Sequence, residues 1–370
     1  MMKPLSFLRG ESDIFVGKRR RLKRYLVCSL AGYFPVLIKT SANSLAAVFR
    51  TGAEHVAISG TLAVSTSPDG GRSWSDPVEI TPRGEDSRNP AMGINESGEI
   101  IVAFWKAKCH VFKEGPDGWY EDHTVVTKER VGKIPGLFVT RSGDDGRTWT
   151  EPQPYLSTLL AYGSPFGRMI AAPDGTLLMP AQGMPREAIP GVTDVNVLIR
   201  SRDGGRSWGD ETLVSTGHNE TSYAVLADAT LVAAARSEGG HVAVLFSKDL
   251  GRTWSQPVPV TRRGESPADL TVLQSGNLLM TFGRRIRPMG CGALLSGDGG
   301  RSWNFDREIL LAADGVENAD LGYPSTVQLD DGHIVTVLYY ASGSEMSADP
   351  FTGWGKVSCQ AIHYREEDIV

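Results

Sequence analysis

The chain has 370 residues, 41% of them hydrophobic, and a formal net charge of −5. Length and apolar content allow one large domain with a sizeable core, and the charge excludes wholesale electrostatic binding of nucleic acid. No run of eighteen apolar residues occurs, which excludes a membrane-spanning helix.

Residues 1–24 are expected to form an N-terminal arm, and residues 25–370 a single domain. The opening MMKPLSFLRGESDIF lacks an apolar signal region, so a cytoplasmic location is expected. The basic run Lys18 to Arg24 (KRRRLKR) reads as a solvated edge rather than a nucleic-acid or targeting patch. Tyr25 to Leu30 reads as a strand. Cys28, Cys109, Cys291 and Cys359 are widely spaced, without a C-x-x-C pair. Free thiols in a reducing compartment are expected, with disulfide pairing in space left open.

Six hairpins follow, each an apolar strand, a short turn and a second apolar strand. The turns are Ala42-Asn43, Ser97-Gly98, Asp174-Gly175, Asp228-Ala229, Ser275-Gly276 and Asp331-Gly332. The flanking runs are β-branched and either alternating or continuously apolar, as buried inner strands require. After each of the first five comes the phrase S-x-D-x-G-x-x-W: Ser67 to Trp74, Ser142 to Trp149, Ser201 to Trp208, Ser247 to Trp254 and Ser296 to Trp303. Its physical reading is a strand, a tight turn and a strand. Ser and Asp bond the backbone of their own turn, Gly supplies positive φ, and Trp buries a face. Such a phrase marks a repeat architecture.

The phrase resembles the Asp-box (BNR) repeat of the sialidase superfamily. That resemblance implies an all-β fold: a six-bladed β-propeller of four-stranded antiparallel blades, closed by the N-terminal strand against the last. It also implies that the boxes are structural, at the outer turn between third and fourth strands.

Hairpin geometry locates the mouth independently. Residues eight before and eight after the first turn residue return to one end, roughly 25 Å from the turn at about 3.3 Å per residue. The leading positions are Phe34, Asn89, Phe166, Glu220, Pro267 and Tyr323; the trailing ones are Arg50, Trp105, Gln182, Arg236, Gly283 and Tyr339. Arg88, Arg168, Arg284 and Arg285 stand nearby. Guanidinium forks suit a carboxylate or sulfate and aromatic faces a sugar ring, so the expected partner is a carbohydrate. Long loops at 106–133, 183–194 and 341–356 would rise from one face.

The resemblance implies roles for some of these positions. Tyr323 matches the nucleophile, Glu220 its activating glutamate, Arg236 the second arginine of a carboxylate clamp, and Arg284 or Arg285 the third. Phe34 occupies the first arginine's place, and Tyr339 that of the glutamate bracing it. The first-blade loop offers Glu54 and His55 as acid/base, where the family has an aspartate; a histidine is a plausible proton donor near neutral pH. Arg50, Arg88 and Arg168 could supplement the clamp, with Trp105, Gln182 and Tyr339 as further substrate ligands. The expected function is a sialidase-like glycoside hydrolase on an acidic or substituted sugar, not a standard sialidase. Two alternatives stand beside it: a non-catalytic carbohydrate-binding propeller, and a polysaccharide lyase using His55, His110 or a tyrosine. No cofactor or metal site is expected: the histidines show no tight spacing, and Glu85 and Asp86 read as ion-pair partners of Arg88 rather than cation ligands.

Overall fold

A computed structural model describes residues 12–16, 20–29, 31–52, 55, 60–83, 86–106, 111–115, 118–122, 136–313, 319–342 and 356–369. Glu54, Glu85, Cys109, His110 and most of the loops at 106–133 and 341–356 lie outside these residues. Six antiparallel sheets form a ring of blades. In blade 1 the strands Tyr33–Lys39, Leu45–Thr51, Thr61–Ser67 and Val78–Glu79 lie side by side in chain order. Blades 2 to 5 repeat the pattern, with inner strands Ser87–Ile94, Leu160–Pro165, His218–Val225 and Glu265–Val272.

Blade 6 contains Leu321–Gln328, Ile334–Ser342 and Lys356–Tyr364, and its fourth strand is Arg20–Ser29 from the other end of the chain. The closing strand therefore begins at Arg20, not Tyr25, and takes in part of the basic run. A further strand, Ser12–Val16, pairs with its outer edge. The reason is visible in the alternation: Leu22 is buried between residues of blades 5 and 6, while its neighbour Lys23 is exposed. Cys28 and Cys359 are cross-strand partners at this closure, and both are buried free thiols, as is Cys291.

The core consists of six seams between adjacent blades. Period-two alternation sends each strand's side chains into two of them. In Leu45–Thr51, Leu45, Ala47 and Phe49 face blade 6, while Ala46 and Val48 face blade 2. In blade 4, Leu231, Ala233 and Ala235 face blade 3, and Val232 and Ala234 face blade 5.

The five Asp boxes join third to fourth strands on the outer rim. In blade 3, Ser201 Oγ donates to Asp203 at 2.8 Å and accepts from Gly205 N–H at 2.8 Å. Asp203 also accepts from the N–H groups of Arg206 and Ser207, and Trp208 packs on the seam between blades 2 and 3. Blade 6 lacks a box. Its place against the preceding blade is taken by the 3₁₀ turn Glu366–Asp368, where Glu366 accepts from Ser275 Oγ at 2.9 Å and Asn277 Nδ2 at 2.6 Å.

One irregularity recurs and positions the site. Five inner strands slip register near their axial ends, at Tyr33/Val36, Arg88/Ala91, His218/Thr221, Glu265/Ala268 and Gly322/Ser325. A bulge adds an unpaired residue and re-aims its side chain. The re-aimed residues include Phe34, Asn89, Glu220 and Tyr323. Three of them carry left-handed backbone, with φ of 54° at Phe34, 45° at Asn89 and 49° at Tyr323, each followed by proline.

Candidate active site

A cavity of about 210 Å³ opens at the mouth of the ring. Its walls include Phe34 and His55 from blade 1, Arg88, Asn89 and Trp105 from blade 2, Gln182 and Asp194 from blade 3, Asn219 and Glu220 from blade 4, and Tyr323 from blade 6. At its floor the Tyr323 hydroxyl donates to Glu220 Oε1 at 2.6 Å. Arg236 donates to the other carboxylate oxygen, Oε2, at 2.5 Å, and lies 3.5 Å from the phenol oxygen. The guanidinium of Arg285 sits 5.7 Å from the centre of the Tyr323 ring.

Burial pushes the Tyr323 phenol well up; the Glu220 carboxylate pushes it further, against Arg236 and Arg285. The Glu220 charge raises Arg236, with burial opposing. At neutral pH Tyr323 is therefore a phenol, not a phenolate. It can act as a nucleophile only by passing its proton to Glu220 as it attacks, and the 2.6 Å contact supplies that route.

Alternation settles which of the two adjacent arginines faces Tyr323. Arg284 is the register partner of Glu265 and pairs with Glu265 and Glu308, away from the mouth. Arg285 turns inward, anchored by the carbonyls of Ser266, Ala319 and Leu321. That anchoring rests on a close backbone crossing: a Cβ on Gly322, which has φ of 94°, would meet the Cα of Gly283 at 2.7 Å.

Three other residues expected as substrate ligands are engaged elsewhere. Arg50 is wholly buried, bonded to Asp86 at 2.5 Å and to the Ser87 carbonyl at 2.8 Å. The bulge makes Tyr33, not Phe34, its cross-strand partner, so counting eight from the turn misplaces it. Arg168 lies beneath the mouth, where it pairs across the axis with Asp269 of blade 5 at 3.1 Å. Blade 3 breaks there, and Gly167–Arg168 pairs with the inner strand of blade 2 instead. Tyr339 is wholly buried behind Tyr323, and its hydroxyl donates to Asp320 Oδ1 at 2.5 Å. Arg88, Trp105 and Gln182 do line the cavity, with Arg88 5.3 Å above the Trp105 ring and also paired with Asp86. Asp86 thus joins two arginines, and among the described residues no cluster of three or more His, Cys, Asp or Glu is placed to hold a metal.

Phe34, expected in the first arginine's place, is an apolar wall. It meets Tyr323 and His55 edge-on, each at 4.8 Å between ring centres. His55 reaches the cavity and bonds Asp320 through Nδ1 at 2.7 Å. Tyr162, Ser164, Asp194, Asn219 and Asp320 were not anticipated. Asp194 ends the long 183–194 loop, Asn219 adjoins Glu220, and Asp320 stands three residues before Tyr323, so adjacency to flagged positions was the available signal.

A ring of six blades with a tyrosine–glutamate–arginine cluster at its mouth defines a sialidase-type propeller. Residues 84–337 match the model of the BNR repeat-like domain family, and the chain belongs to that family, within the sialidase superfamily. It is 25% identical over 353 residues to a sialidase of Bacteroides fragilis, covering 86% of this chain and 61% of that one. It is 29% identical over 213 residues to a sialidase of Clostridium perfringens, covering 52% of each. The chain thus matches less than two thirds of the length of either relative. Among solved structures, a Dyadobacter fermentans protein of unknown function superposes with TM-score 0.72 at 23% identity, over 92% of this chain and 98% of that one. A Hadza microbial sialidase gives 0.68 at 21% identity, over 98% and 75%. The Trypanosoma rangeli sialidase in complex with sialic acid gives 0.60 at 14% identity, over 96% and 57%.

Proposed function

We propose that the chain is a glycoside hydrolase related to sialidases, acting on an acidic or substituted sugar. The observation that carries this reading is the Tyr323–Glu220–Arg236 cluster, with Tyr323 and Glu220 in the wall of the mouth cavity and O···O and N···O contacts of 2.6 and 2.5 Å. Tyr323 Oη would attack the anomeric carbon while its proton passes to Glu220. Arg236, bonded to Oε2, keeps the carboxylate oriented toward the phenol. A tyrosine nucleophile is a known departure from the paired-carboxylate scheme of glycosidases. Arg285 and Arg236 are the cations beside Tyr323, and Phe34 leaves the third side of the clamp apolar. This favours a substrate whose acidic group is met from two sides, or whose substituent there packs on an aromatic ring.

The test is turnover of 4-nitrophenyl glycosides of sialic, glucuronic and galacturonic acids and of neutral sugars, by wild type and Tyr323→Phe. The wild type should hydrolyse at least one, and the variant should lose about 10²-fold or more in kcat. Wild-type activity with the variant unimpaired removes Tyr323 from the chemistry. Saturable glycan binding without turnover would instead establish a carbohydrate-binding propeller.

A further inference from the structure

We propose that His55 is the proton donor to the leaving group and that Asp320, held by Tyr339, is the residue that positions it. The proposal rests on the glycosidase reading above and names the second half of its chemistry. His55 stands on the loop after Leu45–Thr51 and forms part of the cavity wall. Its Nδ1 lies 2.7 Å from Asp320 Oδ1, and the same oxygen accepts the Tyr339 hydroxyl at 2.5 Å. Burial works to raise Asp320, yet the His55 and Tyr339 hydrogen bonds and the charges of His55 and Arg285 hold it below the usual carboxylate range. An ionised carboxylate can only accept, so Nδ1 carries its hydrogen toward Asp320. The imidazole is thereby fixed in one orientation, and Nε2 is the nitrogen left to serve a substrate.

The surroundings reinforce that orientation. Phe34 meets the His55 ring at 87°, and Tyr33 lies 6.1 Å from it. Tyr339 is wholly buried and packs on Tyr33 at 5.1 Å. Phe34 and Tyr339 are the two positions where the family resemblance implied an arginine and its bracing glutamate. Replaced together, they no longer clamp a carboxylate; they wall and support a histidine–aspartate pair.

The proton and electron accounting closes. In the first step Tyr323 Oη bonds to the anomeric carbon, its proton moves to Glu220, and the glycosidic C–O bond breaks with its electron pair leaving on oxygen. His55, protonated on both nitrogens and neutralised by Asp320, gives its Nε2 proton to that oxygen. In the second step neutral His55 takes a proton from water as the water oxygen attacks the anomeric carbon. The Tyr323–carbon bond breaks, and the phenolate recovers its proton from Glu220.

The discriminating measurement compares leaving groups on whichever sugar the wild type accepts. With 2,4-dinitrophenyl glycosides, which depart without protonation, the kcat/KM of His55→Ala, which reports the first step alone, should stay within about tenfold of wild type. With methyl or oligosaccharide leaving groups it should fall by about 10²–10⁴-fold. Asp320→Asn should fall in the same direction by less, mainly in kcat rather than KM. Nitrogen-15 spectra recorded at a pH where the imidazole is neutral should show the His55 Nδ1–H form in wild type and a tautomer mixture in Asp320→Asn. Equal losses across all leaving groups, or no loss with any, overturn the proton-donor role. An unchanged tautomer in Asp320→Asn overturns the positioning role. Tyr323→Phe must be inactive even on dinitrophenyl substrates; activity there would sink the nucleophile reading while leaving the His55 result standing by itself.

Discussion

Tyr323 holds a backbone conformation that a bulky residue before proline rarely adopts, at φ of 49°. Such a state costs about 1–3 kcal/mol and persists where the surroundings over-determine it. Here the bulge turns the ring toward Glu220, and Gly322 lets the chain pass against Gly283. From sequence, counting back from the turn reached Tyr323 and Glu220, because two-residue periodicity and strand rise are rigid. The same count misjudged Arg50, because a bulge inserts a residue that no pattern of apolar spacing announces. Arg284 and Arg285 could not be separated either, since only the last paired residue of the strand decides which one faces inward. The structure gives them different surroundings, Arg284 among Glu265 and Glu308 and Arg285 beside Tyr323. Arg284→Ala should destabilise the fold by about 3 kcal/mol through loss of a buried ion pair, with kcat/KM little changed. Arg285→Met should lower kcat/KM with a smaller effect on stability. Urea denaturation and steady-state kinetics on the same preparations would show whether the two effects divide this way.

Asp boxes were the most legible elements, because Ser, Asp, Gly and Trp each satisfy a separate demand of one turn. Their hydrogen bonds hold Asp144, Asp203 and Asp298 down at about 2. For Asp144 the Thr148 hydroxyl and amide contribute most; for Asp203 and Asp298 burial opposes the shift and the Ser hydroxyls and backbone amides outweigh it. An unfolded aspartate titrates near 3.9, so the boxes contribute their full stability above about pH 4 and lose it as pH falls toward 2. Asp203→Ala removes the acceptor from the turn and should cost about 1 kcal/mol, as loss of a helix cap does. The variant should also show a shallower loss of denaturation midpoint between pH 4 and 2 than wild type. The turn at Glu366–Asp368 escaped notice because it does the work of a sixth box with unrelated residues.

For the ring as a whole, hydrophobic seams account for cohesion and the axis for alignment. Asp269 is buried there. It accepts from Arg168 of blade 3, Ser222 of blade 4 and the Thr326 N–H of blade 6, while itself belonging to blade 5. Burial raises its pKa against the pull of Arg168 and those donors. Asp269→Ala would strand Arg168 without its anion and should cost about 3–5 kcal/mol. Arg168→Ala should cost a similar amount, and the double variant less than the sum, because both remove one interaction. Calorimetric unfolding of the four proteins would measure this coupling; strict additivity would contradict it. Six-fold repetition was plain in the sequence, but this axial pair was not. It joins residues 101 positions apart, in a blade whose inner strand is broken.

Closure by Arg20–Ser29 has a consequence for how the protein comes into being. That strand precedes the five complete blades along the chain, and its neighbour Lys356–Tyr364 follows them. During synthesis it emerges before that partner, with an open edge and with Leu22, Val27 and Cys28 uncovered. Ring completion needs this pairing of distant segments, so it should set the slowest folding phase.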